Sequence, residues 1–113
     1  MKLLTKALEA KIPALYSQES KGDDAIVYAK FFHCLSGMYW YATEYSPEDR
    51  LFFGWVYSQS PELGYFSLDE FEQTKIKGIP MERDLHFTPC TLREVKRSHG
   101  IAVEDPESAE VTA

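Results

Sequence analysis

The feature that most constrains the fold is a series of four apolar, ring-rich segments joined by very short connections. Their β-branched and aromatic content predicts strands, which cover residues 25–34, 38–45, 51–57 and 63–66. Parallel neighbours would need crossovers of about a dozen residues, and the connections here are shorter. The sequence therefore predicts an antiparallel meander of four strands in sequential order.

Short helices are predicted on either side of this meander. Apolar residues at helical spacing, with lysines between them, predict an amphipathic helix over 3–12, which Pro13 ends. Segments 67–70 and 91–94 both have the Ser/Thr-x-x-Glu spacing of a capping box, so a helix should begin in each. Gly100 is a natural end for the second of these helices.

Two further boundaries follow from local composition. The helix that begins at Leu68 should end near Lys75, because Gly78 and Pro80 break the pattern soon afterwards. Residues 85–87 have the composition of one more edge strand, which the sequence alone leaves open.

Together these elements predict an α+β fold, an antiparallel four-stranded meander sheet packed with an N-terminal helix and two short C-terminal helices. We expect all three helices to cover the same face of the sheet. A chain of 113 residues has the size of one domain. We expect that domain over residues 3–100, followed by an acidic, disordered tail over 101–113.

Charge and cysteine content limit the classes of function. Eighteen acidic and twelve basic residues give a formal net charge of −6, which disfavours direct binding of DNA or RNA. No apolar run approaches the roughly 18 residues of a membrane span, and we expect no secretory signal. Cys34 and Cys90 fit neither a zinc spacing nor a disulfide framework. We expect a cytoplasmic protein without a cofactor or a membrane, either a monomer or a weak homodimer.

Large rings occupy both faces of the predicted sheet, because side chains alternate along its second and third strands. On the second strand the alternation places Thr43 on the same face as three tyrosines. The simplest account is that helices cover one face while tyrosine hydroxyls tolerate water on the other. The alternative is an aromatic surface that binds a ligand or a partner. The candidate binding residues of such a surface are Tyr39, Tyr41, Tyr45, Trp55 and Tyr57.

The turn between the second and third strands is acidic and supplies further candidate binding residues, which are Glu44, Glu48, Asp49 and Arg50. Neighbouring carboxylates suit acid/base hydrolysis or a divalent metal. With an arginine beside them, a solvated ion pair is the simpler account. Gly54, in the middle of the third strand, indicates either a close backbone approach or a bulge.

Asp84 and His86 lie two residues apart, a spacing that would orient an imidazole as a base. No serine or cysteine lies in a nucleophile motif near them, and Cys90 follows in a proline-bearing loop. GxGxxG, P-loop and HExxH motifs are absent from the sequence. We assign no catalytic or metal-binding residue.

Three segments carry a resemblance to a known family: YATEY at 41–45, PEDRLFFG at 47–54 and ELGYFSL at 62–68. From about residue 3 to residue 95 the chain resembles a bacterial family named domain of unknown function 2958. Members are typically encoded on plasmids, phages and other mobile elements, some of them near antirestriction genes. The resemblance therefore implies, by association, a role in host interaction or against host defence. It implies no catalytic residue.

We therefore expect a small acidic accessory protein of a mobile element that binds a host macromolecule, most simply a protein. One version is an anti-defence inhibitor whose carboxylates replace nucleic-acid phosphates on a basic surface. The alternatives are a small-ligand-binding module, with Trp40 or Trp55 in its pocket, and a minor metal-dependent hydrolase. The hydrolase needs at least three of the following side chains in one concavity: Glu44, Glu48, Asp49, Asp84 and His86.

Overall fold

A five-stranded antiparallel sheet is the largest element of residues 1–104, the part of the chain that the computed structural model describes. The chain begins with helix α1 (Lys6–Lys11) and a 3-10 helix (Glu19–Asp24). Strands β1 (Ile26–Val27), β2 (Ala29–Phe32), β3 (Tyr39–Ser46), β4 (Leu51–Tyr57) and β5 (Glu62–Ser67) follow. The remaining elements are α2 (Leu68–Gln73), β6 (Lys75–Ile76), β7 (Ile79–Pro80), β8 (Glu82–Arg83), β9 (Cys90–Thr91) and α3 (Leu92–Ser98).

The sheet has the order β5-β4-β3-β2-β8. Its antiparallel meander from β2 to β5 confirms the α+β prediction, but the predicted number of four strands was wrong, because β8 adds a fifth next to β2. This strand has only two residues, Glu82 and Arg83, and no apolar run that would reveal it. Residues 85–87 are not a strand: the backbone N–H of His86 donates to the Asp84 carboxylate and forms a turn there.

The predicted strand over 25–34 is divided in two. β1 pairs with β9 in a separate two-stranded sheet, whereas β2 pairs with β3. The division lies at Tyr28, whose backbone N–H donates to the Ala42 carbonyl at 2.9 Å. Because β9 directly precedes α3, its pairing with β1 also fixes the position at which α3 begins.

Helices cover both faces of the five-stranded sheet. We call the side that carries Phe31 and Phe52 face A and the side that carries Tyr41 and Trp55 face B. On face A, α1, α2 and the residues before α1 enclose a buried core. The core of face A consists of Leu3, Leu4, Ile12, Ala29, Phe31, Ala42, Tyr45, Phe52, Phe66, Leu68, Phe71 and Met81.

α3 packs on face B, so the prediction that all three helices cover one face was wrong. Leu92 and Val95 of α3 contact a second buried cluster that contains Val27, Tyr41 and Trp55. The start of α3 is fixed on this side because β9, which directly precedes it, pairs with β1. This pairing joins residues distant in the sequence, and no local pattern indicates it.

A β-bulge interrupts the pairing of β3 with β4 between Ala42 and Glu44. The extra residue, Thr43, reverses the alternation of side chains beyond it. Tyr45 therefore lies on face A, where its ring packs on Phe52 with centroids 4.6 Å apart. The prediction that Tyr45 shares a face with Tyr39 and Tyr41 was wrong for this reason.

The helix boundaries follow the capping residues. Thr5 accepts a hydrogen bond from the Leu8 N–H, so α1 begins at Lys6 and not at residue 3. Ser67 and Thr91 cap α2 and α3 in the same way, as predicted. α2 ends two residues before the predicted end at Lys75. The part of the predicted tail from 105 to 113 lies outside the described residues.

Gly54 is required by the close approach of β3. A Cβ atom at this position would lie 1.8 Å from the Tyr41 carbonyl oxygen, whereas a Cβ at Gly64, its partner on β5, would meet nothing within 4 Å. We expect Gly54→Ala to lower the free energy of unfolding by about 3 kcal/mol or more, because backbone must move to admit the methyl group. Chemical denaturation measures this.

Gly64→Ala is the matched control, since it adds the same group in the next strand without a clash. It should change the free energy of unfolding by less than about 1 kcal/mol. Equal losses in the two variants would contradict the close approach of β3 to Gly54.

Candidate functional site

The predicted tyrosine surface lies beneath α3. Tyr41 and Trp55 are each only 3% exposed, and Tyr39 and Tyr57 are half-buried beside them. These four rings surround His99, which follows the last residue of α3. The Tyr57 ring stacks on the His99 ring with centroids 3.9 Å apart.

A hydrogen bond joins His99 to the sheet. The Tyr41 hydroxyl lies 2.6 Å from Nε2 of His99. Burial raises the pKa of Tyr41, so the phenol keeps its proton and its hydrogen bond with Nε2 joins two neutral groups. Burial, together with the positive charge of Lys30, lowers the pKa of His99 below its ordinary value. The end of α3 is thus held on face B through the His99 imidazole, which is uncharged and packs among these rings.

The acidic turn divides into exposed and engaged groups. Glu48 and Asp49 are exposed, and the Ser46 hydroxyl bonds to Asp49. Arg50 binds Asp69 of α2 at 2.6 Å and also pairs with the carboxylate of Glu72. Its cation is therefore engaged by residues outside the turn.

Glu44 does not lie with these groups, because the bulge directs it to face B. It is 3% exposed, and its two carboxylate oxygens accept the backbone N–H groups of Tyr16 and Gln18, each at 2.8 Å. Gln18, also buried, extends this network to the backbone of β1 and β3: its amide donates to the carbonyls of Ile26 and Thr43 and accepts from the Ile26 N–H. The network fixes the segment before the 3-10 helix against the sheet.

Tyr16 adopts a strained conformation at this anchor. Its φ of 72° is in the left-handed region, which costs a residue with a Cβ atom about 1–2 kcal/mol. The side chain is nevertheless 65% exposed, so burial of the ring does not compensate the strain. Tyr16 and Tyr65 line one small cavity, and a hydrogen bond that the Tyr65 hydroxyl donates to Tyr16 raises the pKa of Tyr65.

Three exposed side chains and one half-buried ring, that of Phe53, form an apolar surface around this point, which we call the edge patch: Tyr16, Phe53, Leu63 and Tyr65. Leu63 and Tyr65 lie on face B of β5 and are 54% and 51% exposed. The Phe53 ring packs edge-on against Tyr65 with centroids 5.0 Å apart. A cleft of about 260 Å³ lies between Leu63 and Leu92 of α3.

Sequence reasoning did not find the edge patch. The alternation along β5 does place Leu63 and Tyr65 on one face. Their exposure depends on β5 being at the edge of the sheet, and the position of Tyr16 depends on the bulge in β3, which no local pattern reveals.

The other predicted residues lie elsewhere. Asp84 and His86 line a shallow cavity of about 430 Å³ with Tyr39 and Lys30, and Nζ of Lys30 is 3.8 Å from the Asp84 carboxylate. Glu44 lies instead on the floor of the cleft beside α3. Residues 1–104 contain no group of three His, Cys, Asp or Glu side chains that could hold a metal ion. The described residues thus do not show the concavity that the hydrolase hypothesis requires.

The fold and this site define a class of small α+β protein with an apolar surface at the edge strand of its sheet. A family model described as protein of unknown function (DUF2958) matches residues 3–96, and the chain belongs to that family. No curated protein and no solved structure matches the chain. Within the described part of the chain, no helix has the length and apolar character needed to cross a membrane.

We expect the buried carboxylate of Glu44 to be essential for the position of Tyr16. Glu44→Ala leaves two backbone N–H groups without their acceptor, so it should lower the free energy of unfolding by about 2–4 kcal/mol. Amide hydrogen exchange at Tyr16 and Gln18 should become faster. Glu48→Ala, an exposed carboxylate four residues away, is the control and should change neither quantity. Unchanged exchange in Glu44→Ala would contradict this role.

The uncharged state of His99 predicts a pH dependence of stability. The pKa of His99 is lower in the folded chain than in the unfolded chain, where it lies near 6.5. The unfolded state therefore binds more protons, and stability falls as the pH drops below about 6.5 towards the folded value.

Free energies of unfolding measured at about pH 8 and about pH 5 test this dependence. His99→Gln should lose part of the decrease, whereas His86→Gln, at an exposed position, should keep it. The same decrease in His99→Gln as in the native chain would show that another group causes it.

Proposed function

We propose that this chain acts by binding another protein through the edge patch. The observation that carries the proposal is the strained Tyr16, which the buried carboxylate of Glu44 holds in position although Tyr16 stays 65% exposed. Strain that the surrounding structure imposes on an exposed residue favours a functional role. Exposed tyrosine and leucine side chains grouped on one face of a sheet are typical of protein interfaces.

Charge supports a basic surface on the partner. The chain carries a formal net charge of −6, and Glu19 lies beside Tyr16 and Tyr65. Among residues 1–104, Glu19, Glu48 and Glu62 form no ion pair with a lysine or arginine. Such groups attract a basic partner over a distance and repel nucleic acid.

We propose further that the partner belongs to the host and that the chain is an accessory protein of a plasmid, phage or other mobile element. An anti-defence inhibitor that occupies the nucleic-acid-binding surface of a host enzyme is one form of this proposal. The acidic groups near the edge patch support it, and so does the mobile-element association that the family resemblance implies. Cys34 and Cys90 are both free thiols, which favours a reducing compartment such as the cytoplasm.

Affinity capture from a bacterial lysate tests the proposal with two matched variants. Leu63→Asp changes the edge patch, and Leu85→Asp changes a leucine that is 62% exposed outside it. Proteins retained by the native chain should be retained by Leu85→Asp and lost with Leu63→Asp. Retention should also weaken in about 0.5 M NaCl, because salt screens exposed charges. Equal retention by the two variants would contradict binding through the edge patch.

A further inference from the structure

The free edge of the sheet indicates how the partner binds. Resting on the proposed function, we infer that the partner supplies an extended, basic segment that pairs with β5 as a sixth strand. Within residues 1–104, β5 has a hydrogen-bonded neighbour only on its β4 side. Its outer N–H and C=O groups are therefore a template for another strand.

The two edges of the sheet differ in their capacity to pair. β5 has six residues in uninterrupted register with β4, and the segment Glu62–Ser67 contains no proline, lysine or bulge that would block a further strand. β8, at the opposite edge, has only two residues. The edge that is long enough for strand addition is also the edge that carries the exposed Leu63 and Tyr65.

Side chains along β5 define what the added strand would carry. On face B it would place apolar side chains against Leu63 and Tyr65. On face A, Gly64 leaves open space, since a Cβ there would meet nothing within 4 Å. A large apolar side chain beside Gly64 would fill that space. The centre of the segment is therefore apolar on both faces.

Basic residues are expected at the ends of the segment. Glu62 begins β5, and Glu70 lies just beyond its end. The turn that carries Glu48 and Asp49 leads into Leu51, which pairs with Ser67 at that same end. Carboxylates thus border both ends of the free edge, and lysine or arginine at the ends of an added strand would complement them.

The same charges disfavour a second copy of this chain on the edge. In an antiparallel pair of two β5 strands, the Glu62 end of each copy would meet the end that carries Glu70 of the other. Like charges placed together in this way are unfavourable. A basic partner gains from the carboxylates that a second copy would have to oppose.

A displayed library of random peptides of about ten residues, enough for one strand, tests the inference on the full chain. Peptides with alternating apolar positions, flanking Lys or Arg and no proline should be enriched. Their affinity should fall by about tenfold or more with Leu63→Asp and stay unchanged with Leu85→Asp. Enrichment of acidic or proline-rich peptides, or no enrichment, would overturn the inference.

Backbone methylation of one enriched peptide tests the strand pairing itself. N-methyl groups on the edge of the peptide that faces β5 remove the N–H donors that pair with β5. N-methyl groups on the opposite edge leave those donors intact. One methylated peptide should lose binding and the other should keep it. Retention of binding by both would overturn strand addition.

Sedimentation of the native chain and of Leu63→Asp tests the competing occupant. A dimer that Leu63→Asp disrupts would show that a second copy occupies the edge, and would overturn the inference. Failure of strand addition can be distinguished from failure of the proposed function. If lysate capture depends on Leu63 but the library yields no strand-like basic peptides, binding through the edge patch stands and strand addition fails.

Discussion

The β-bulge at Thr43 is the constraint on which the rest of the structure depends. Without the extra residue, alternation along β3 would direct the Glu44 carboxylate towards the apolar core of face A and the Tyr45 ring towards face B. The bulge exchanges them. Tyr45 completes the core beside Phe52, and Glu44 reaches the backbone of the segment before the 3-10 helix. A single inserted residue thereby serves both the core and the candidate site.

A buried carboxylate without a cation beside it requires donors, because removing its charge from water is costly. Here the donors are backbone N–H groups of Tyr16 and Gln18, which belong to the segment before the 3-10 helix. The same two hydrogen bonds satisfy the carboxylate and attach this segment to the sheet. The left-handed conformation of Tyr16 is the cost of aligning its N–H with Glu44, and the exposed ring is the result.

Local signals in the sequence predicted the elements whose cause is local. The meander from β2 to β5 follows from short turns between ring-rich segments, and α2 and α3 begin at the capping residues Ser67 and Thr91. The side on which α3 packs could not be predicted, because it depends on the pairing of β1 with β9 across more than half the chain. The bulge was hidden for a related reason, because strict alternation along YATEY gives no sign of an extra residue between Ala42 and Glu44.

The same arrangement explains why tyrosines are buried at one place on face B and exposed at another. α3 has seven residues, so it is about 10 Å long, and with its side chains it is about as wide. Strands lie about 4.8 Å apart, so a helix of this size covers roughly two strand spacings whichever way it runs. It covers Tyr41 of β3 and Trp55 of β4 and leaves Leu63 and Tyr65 of β5 beyond its reach. Apolar side chains at that edge can be withdrawn from water only by a surface that α3 does not provide, and this geometric limit is the physical reason to look for a partner there.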